Sequence, residues 1–165
     1  MYEALWLVPA LPLAGFLILA LVGSRLPRWI VDMVAVGSVG LATVLTLWIG
    51  LRFLQTPPAG HAYSQVLWTW MRVGDFAPTV GLYLDATSLV MITVVTFVSL
   101  LIHLYSTRFM DDDKGYTRFF AYMNLFVSSM LVLVLADNLL LLYLGWEGVG
   151  LCSYLLIGYW YNDPI

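Results

Sequence analysis

The sequence predicts an all-α polytopic membrane protein with about five transmembrane helices and one short extramembrane β-hairpin. Three observations carry that expectation. Hydrophobic residues make up 62% of the chain and charged residues only 10%, against about 45–50% and about 25% in ordinary globular chains. Five apolar runs are each long enough to cross a bilayer, which takes about 20 residues at ~1.5 Å rise. Most charges fall between those runs, and Glu147 is the main exception.

The first run covers about 4–22 and holds Pro9 and Pro12. Prolines are tolerated in membrane helices because neighbours satisfy the freed carbonyls, so a kink or a frayed start is expected here. Its opening, MYEALWLVP, has no basic stretch, and the apolar run outlasts a signal peptide, so it reads as a retained span. The second run, about 29–53, has Asp32 near its start and the small residues Ala35, Gly37, Ser38, Gly40 and Ala42, which favour close helix packing.

Thr56-Pro57-Pro58-Ala59-Gly60 then signals a loop. Two β-prone segments, QVLWTWMRV and TVGLYL, flank Gly74-Asp75 within 65–84 and predict a hairpin on the membrane surface. Trp68 and Trp70 suit headgroup depth.

The third run, about 85–106, starts with Asp85 as N-cap and Ser88 three residues on. His103 lies near its far end; it is either a proton-relay candidate or a histidine hydrogen-bonded near the interface. Asp111-Asp112-Asp113 reads as a solvated surface run, since a calcium loop needs spaced oxygens. The fourth run, about 119–136, is separated from the fifth, about 138–161, only by a break at Asp137-Asn138. The two should form a tight antiparallel pair with Asp137 as a cap, and Tyr159, Trp160 and Tyr161 an aromatic belt.

Charge sets the orientation. Arg25, Arg28, Arg108, Lys114 and Arg118 fall on one side of five spans, Arg52 and Arg72 on the other. The positive-inside rule puts the first group in the cytoplasm or matrix and the N-terminus and hairpin outside. A bacterial inner membrane is expected, or the mitochondrial one in a eukaryote. There is no basic patch for nucleic acid, and the single Cys152 allows neither a disulfide framework nor a metal cluster. No phosphate loop or metal-ligand spacing is present, so redox chemistry should belong to partners.

Glu147 is the residue on which chemistry should centre. It is the tenth residue of NLLLLYLGWEGVGLCSYLLIGYWY, roughly 13–15 Å into a helix that begins at Asn138. A charge at that depth costs at least ~2.5–3.5 kcal/mol, which makes an intramembrane acid a functional candidate by default. Gly145, Gly148, Gly150, Cys152 and Ser153 are expected around it, leaving room for helices and water. The competing reading is a neutral carboxyl that only holds helices together.

The segment YLGWEGVGLCSYLLIGYWYNDP resembles the fifth span of the chain L family of proton-pumping NADH:quinone oxidoreductase, respiratory complex I (chain 5 in mitochondrial naming). YSQVLWTWMRVGDF, LYLDATSLVMITVV, LLIHLYSTRFM and GYTRFFAYMNLFVSSMLVLVLADNLLLLYLGWEGVG extend the likeness along the chain. The resemblance implies the N-terminal part of an antiporter-like subunit. It makes 65–84 similar to the family's periplasmic hairpin. It makes Glu147 similar to a glutamate that pairs with a lysine two spans further on, and His103 similar to a histidine without an assigned role. It implies no cofactor in this chain: NADH, FMN, iron–sulfur clusters and quinone belong to partner subunits. The implied partners are other complex I membrane subunits, especially the neighbouring antiporter-like one, and the lipid bilayer. Members of that family are longer, so the sequence is expected to continue past Asn162-Asp163-Pro164. Two alternatives stay open: the large subunit of a multi-subunit sodium/proton antiporter, and a structural membrane stub without transport of its own.

Overall fold

The computed structural model describes residues 2–75 and 77–160. Its helices are α1 (Leu7–Val22), α2 (Arg28–Gln55), α3 (Ala86–Phe109), α4 (Tyr116–Leu135) and α5 (Leu139–Ile157). Each is long and apolar enough to cross a membrane, α1 together with its 3-10 extensions. Between α2 and α3 lies an antiparallel hairpin of β1 (Tyr63–Thr69) and β2 (Thr79–Leu84).

α4 is the hub and packs against α1, α2, α3 and α5. Its buried positions recur at helical spacing: Tyr116, Phe120, Asn124, Val127, Leu131 and Leu135. α5 packs mainly on α4, and only 17% of its apolar window is buried, less than in any other helix. α1 follows directly on a 3-10 turn over Glu3–Trp6 and carries Pro12 inside, so the chain is helical from its start and is not frayed there. Ser128 of α4 donates to Pro9 O at 2.9 Å, the kind of outside partner a proline-disturbed turn takes in a membrane.

Asp85 caps α3. Its carboxylate accepts from Ser88 N at 2.7 Å while Ser88 Oγ accepts from Asp85 N at 2.8 Å. At α5 the cap is Asn138, whose Oδ1 accepts from Leu141 N at 3.0 Å, and not Asp137 as the sequence suggested. Asp137 has a different task. Its backbone N donates to Gly81 O at 3.2 Å, and Ala136 bridges Leu82, so the α4–α5 turn extends the hairpin beyond β2. Asn138 Nδ2 adds a bond to Thr79 O at 2.7 Å. A Cβ on Gly81 would fall on the Asp137 carboxylate, so this turn needs glycine opposite it. One residue of pattern could not separate a cap from a strand-edge tie.

β1 is shorter than the apolar run that announced it. It ends at Thr69, and Trp70 N already bonds Pro78 O at 2.9 Å across the loop. Gly74 takes a φ of +59°, the left-handed conformation the turn requires.

At the opposite end of the bundle the acidic run is tied down, not merely solvated. Asp111 pairs with Arg28 at 3.1 Å. Asp113 accepts from Gly115 N at 2.6 Å, Tyr159 OH at 2.8 Å and Trp160 Nε1 at 2.8 Å. Tyr159 is accordingly turned inward and 7% exposed, so it does not join a lipid-facing belt; Trp160 remains exposed. Tyr161 lies outside the described residues. The Trp160 N–H, then the Tyr159 hydroxyl, the Gly115 N–H and the Arg118 charge hold the Asp113 carboxyl below the ordinary value of 3.8. A depressed folded value means stabilisation that is complete above the ordinary value and lost as pH falls through the depressed one. Asp113→Ala should therefore lower the melting stability of the full-length chain by about 1 kcal/mol at neutral pH and by nothing in strong acid. Asp112→Ala should leave both unchanged. Equal melts for the two variants at pH 7 would remove the anchor from the account.

Candidate functional site

α5 has two faces of opposite character. Leu141, Gly145, Gly148 and Cys152 follow the i, i+4, i+7, i+11 spacing of one helical stripe. That stripe faces α4. A Cβ at Gly145 would meet Leu133 N at 2.7 Å, and one at Gly148 would meet Ser129 Oγ at 2.6 Å. Leu141 and Cys152 are buried. Gly145 and Gly148 therefore bring the α4 and α5 backbones together, as small residues allow, while Gly150 has nothing within 4 Å of its Cβ position among the described residues.

Glu147 belongs to the other stripe, with Tyr143, Gly150 and Tyr154 at the same spacing, and all four are exposed. It is the ninth of the 19 residues of α5, at the middle of the helix. Among the described residues it forms no salt bridge. Leu144, Trp146 and Leu151 continue this outward surface. A mid-membrane carboxylate cannot be left to hydrocarbon, so this face needs a polar neighbour, water or a proton. No grouping of three or more histidine, cysteine, aspartate or glutamate side chains that could hold a metal occurs among the described residues.

His103 sits apart from Glu147, in the α3–α4 interface. It is 0% exposed, near the far end of α3, with its ring against Phe120 at 5.9 Å between centroids. Position in the sequence gave its depth along α3 but not the side it faces.

A further set of buried polar contacts had no clear signal in the sequence. Tyr116 OH donates to Asp32, Ser38 Oγ lies 2.8 Å from Asn124 Oδ1, and Thr43 Oγ1 donates to Thr96 O at 3.1 Å. These join α2 to α3 and α4. Single hydroxyls and amides in apolar runs signal that a partner exists, not which one.

The comparisons place the chain among known proteins. Residues 70–120 match the family described as NADH-Ubiquinone oxidoreductase (complex I), chain 5 N-terminus. Residues 136–165 match the NADH:quinone oxidoreductase/Mrp antiporter transmembrane family. NADH-quinone oxidoreductase subunit L of Escherichia coli is 57% identical over 93% of this chain and 25% of the relative. This chain belongs to the subunit L, or chain 5, family of complex I. Subunit L of Pseudomonas aeruginosa is 54% identical over 92% of the chain and 25% of the relative. The chloroplastic NAD(P)H-quinone oxidoreductase subunit 5 of Mesostigma viride is 36% identical over 96% of the chain and 25% of the relative. The chain thus spans about a quarter of the length of these relatives. It is the N-terminal, multi-pass membrane part of an antiporter-like subunit.

Proposed function

We propose that this chain is the N-terminal part of a proton-translocating membrane subunit of NADH:quinone oxidoreductase, with Glu147 as its intramembrane proton-site acid. The observation that carries the reading is the Glu147 carboxyl at mid-helix on the open face of α5, without a salt bridge among the described residues. An acid so placed responds to what approaches it. A nearby cation lowers proton affinity in general and its retreat restores it, which lets conformation load and unload a proton. The relatives' name, NADH-quinone oxidoreductase, supports a setting in which electrons pass from NADH to quinone. On our reading, partner subunits hold the FMN and iron–sulfur clusters, and this subunit moves protons. Its partners are the other membrane subunits, especially the neighbouring antiporter-like one. The test is proton pumping by the reconstituted complex carrying Glu147→Gln, with NADH oxidation measured alongside.

A second reading has support of its own, because the family matched by residues 136–165 also covers Mrp antiporters. A sodium/proton antiporter subunit would show sodium flux that a quinone inhibitor leaves untouched. Proton flux that stops with quinone reduction, in sodium-free medium, excludes it.

The proposed orientation places Arg25, Arg28, Arg108, Lys114 and Arg118 in the bacterial cytoplasm, and the N-terminus and hairpin outside. A cysteine introduced as His61→Cys should then be labelled by a membrane-impermeant thiol reagent from outside, and Asp112→Cys only in inverted vesicles. Native Cys152 is buried and should stay silent in both. The opposite labelling pattern would reverse the topology.

A further inference from the structure

Among the described residues, two buried polar side-chain atoms of α2, α3 and α4 have no hydrogen-bond partner, Thr46 Oγ1 and His103 Nε2, and only the second belongs to a titratable group. His103 Nδ1 lies 2.8 Å from Ser99 O. A carbonyl can only accept, so in the neutral ring Nδ1 carries the hydrogen and Nε2 presents a lone pair. Nε2 is buried, and among the described residues it has no hydrogen-bond partner. An acceptor buried at membrane depth without a donor is a strong demand for water, because buried polar groups are nearly always satisfied.

Polar side chains lie between His103 and the basic end of the bundle. The Thr43–Thr96 bond sets the antiparallel register of α2 against α3. Two turns further on, His103 comes level with Ala35 and Val36 of α2, and Ala35 is buried and has only a methyl to fill the space. One turn toward the basic end, Ser106 is buried on α3. There Tyr116 OH donates to Asp32 and lies 3.3 Å from Thr107 O, with Arg28 5.0 Å over the Tyr116 ring. Asp32 is only partly buried, so this group borders solvent. The titratable and charged groups toward this end are Arg28 and Asp32 of α2, Tyr105 and Arg108 of α3 itself, Tyr116, Arg118 and Tyr122 of α4, and Asp111, Asp112, Asp113 and Lys114 of the α3–α4 loop; α1 has none.

We propose that His103 Nε2 binds a buried water and is a proton-accepting site, reached from the basic end of the bundle past Asp32 and Tyr116. A proton passed through the water adds to Nε2, while Nδ1–H stays on Ser99 O, and it leaves by the same water. Asp32 is the acid on the route and offsets the imidazolium charge. The site lies in the α2–α3–α4 interior, away from the open face of α5, and does not depend on the role given to Glu147.

The test uses the full-length chain in its complex. A high-resolution map of the parent should hold water density within about 3 Å of Nε2. Glu147→Gln should keep that density, which separates this site from the pumping acid. His103→Phe should remove it. In infrared spectra with isotope-labelled histidine, the parent minus His103→Gln difference should hold an imidazolium band that grows as pH falls from about 8 to about 5. Should His103→Phe fail to assemble, the map of the parent and the His103→Gln spectra still decide. A dry Nε2, a protein donor in place of the water, or a parent minus His103→Gln difference that does not change with pH each overturns the proposal.

Discussion

Glu147→Gln in the full-length chain is expected to assemble normally and to lower proton pumping at least about tenfold. Glutamine keeps the volume and the polarity but cannot hold or release a proton. Positioned acids and bases commonly contribute 10²–10⁴-fold to proton transfer, so a tenfold loss is the modest end of the range. Assembly should survive because Glu147 lies off the stripe of Leu141, Gly145, Gly148 and Cys152 that joins α5 to α4. Removing an uncompensated acid from membrane depth should, if anything, ease insertion by part of the ~2.5–3.5 kcal/mol such a charge costs. Glu147→Asp should retain more pumping than Glu147→Gln, since the acid is kept about one methylene back. NADH oxidation coupled to pumping should fall with it. Pumping at the parent's rate in Glu147→Gln would make the carboxyl a structural group.

Much of the fold is legible because the membrane reduces the choices. Every backbone polar group must be satisfied within the segment, so a long apolar run becomes a helix. The runs around 4–22 and 85–106 accordingly emerge as α1 and α3, and Asp85 with Ser88 announces the α3 cap from two residues alone. What apolarity does not mark is where a helix stops. α4 starts at Tyr116, inside the polar loop, and α5 stops at Ile157, before the aromatic cluster, because a bond such as Tyr159–Asp113 turns the chain inward there.

The candidate site divides in the same way. The depth of Glu147 follows from counting residues along α5. Its direction depends on which stripe α4 takes, and that is decided by a fit between Gly145 and the Leu133 backbone that neither segment reveals alone. His103 is the converse case. Its place near the end of an apolar run gave its depth, but only the folded bundle shows that it is fully buried, against Phe120 of α4, and that Nε2 is unserved among the described residues. Asp137, Asp111 and Asp113 were hidden for a related reason: their partners lie 46 to 83 positions away or belong to backbone, which composition does not encode.

Gly145→Val should be the most damaging single change to the architecture. The hypothetical Cβ at Gly145 already lies 2.7 Å from Leu133 N, 2.8 Å from its Cα and 2.9 Å from its Cβ. Two of these atoms are backbone inside a continuous helix, so they cannot swing away as a side-chain tip could. The helices must separate instead, and α5 has little else to hold it, since α4 is its main neighbour. Overpacking a tight contact costs typically 1–3 kcal/mol, and the rigid backbone here puts the expected loss at about 3 kcal/mol or more. Cys152 and Leu141 would lose their packing in the same step. Gly150→Ala is the control: among the described residues nothing lies within 4 Å of its Cβ position, and alanine favours a helix by about 1 kcal/mol over glycine. In thermal melts of the full-length chain Gly145→Val should fall well below the parent while Gly150→Ala matches or exceeds it. If the two variants melt together, the close α4–α5 approach is not what holds Glu147 in place.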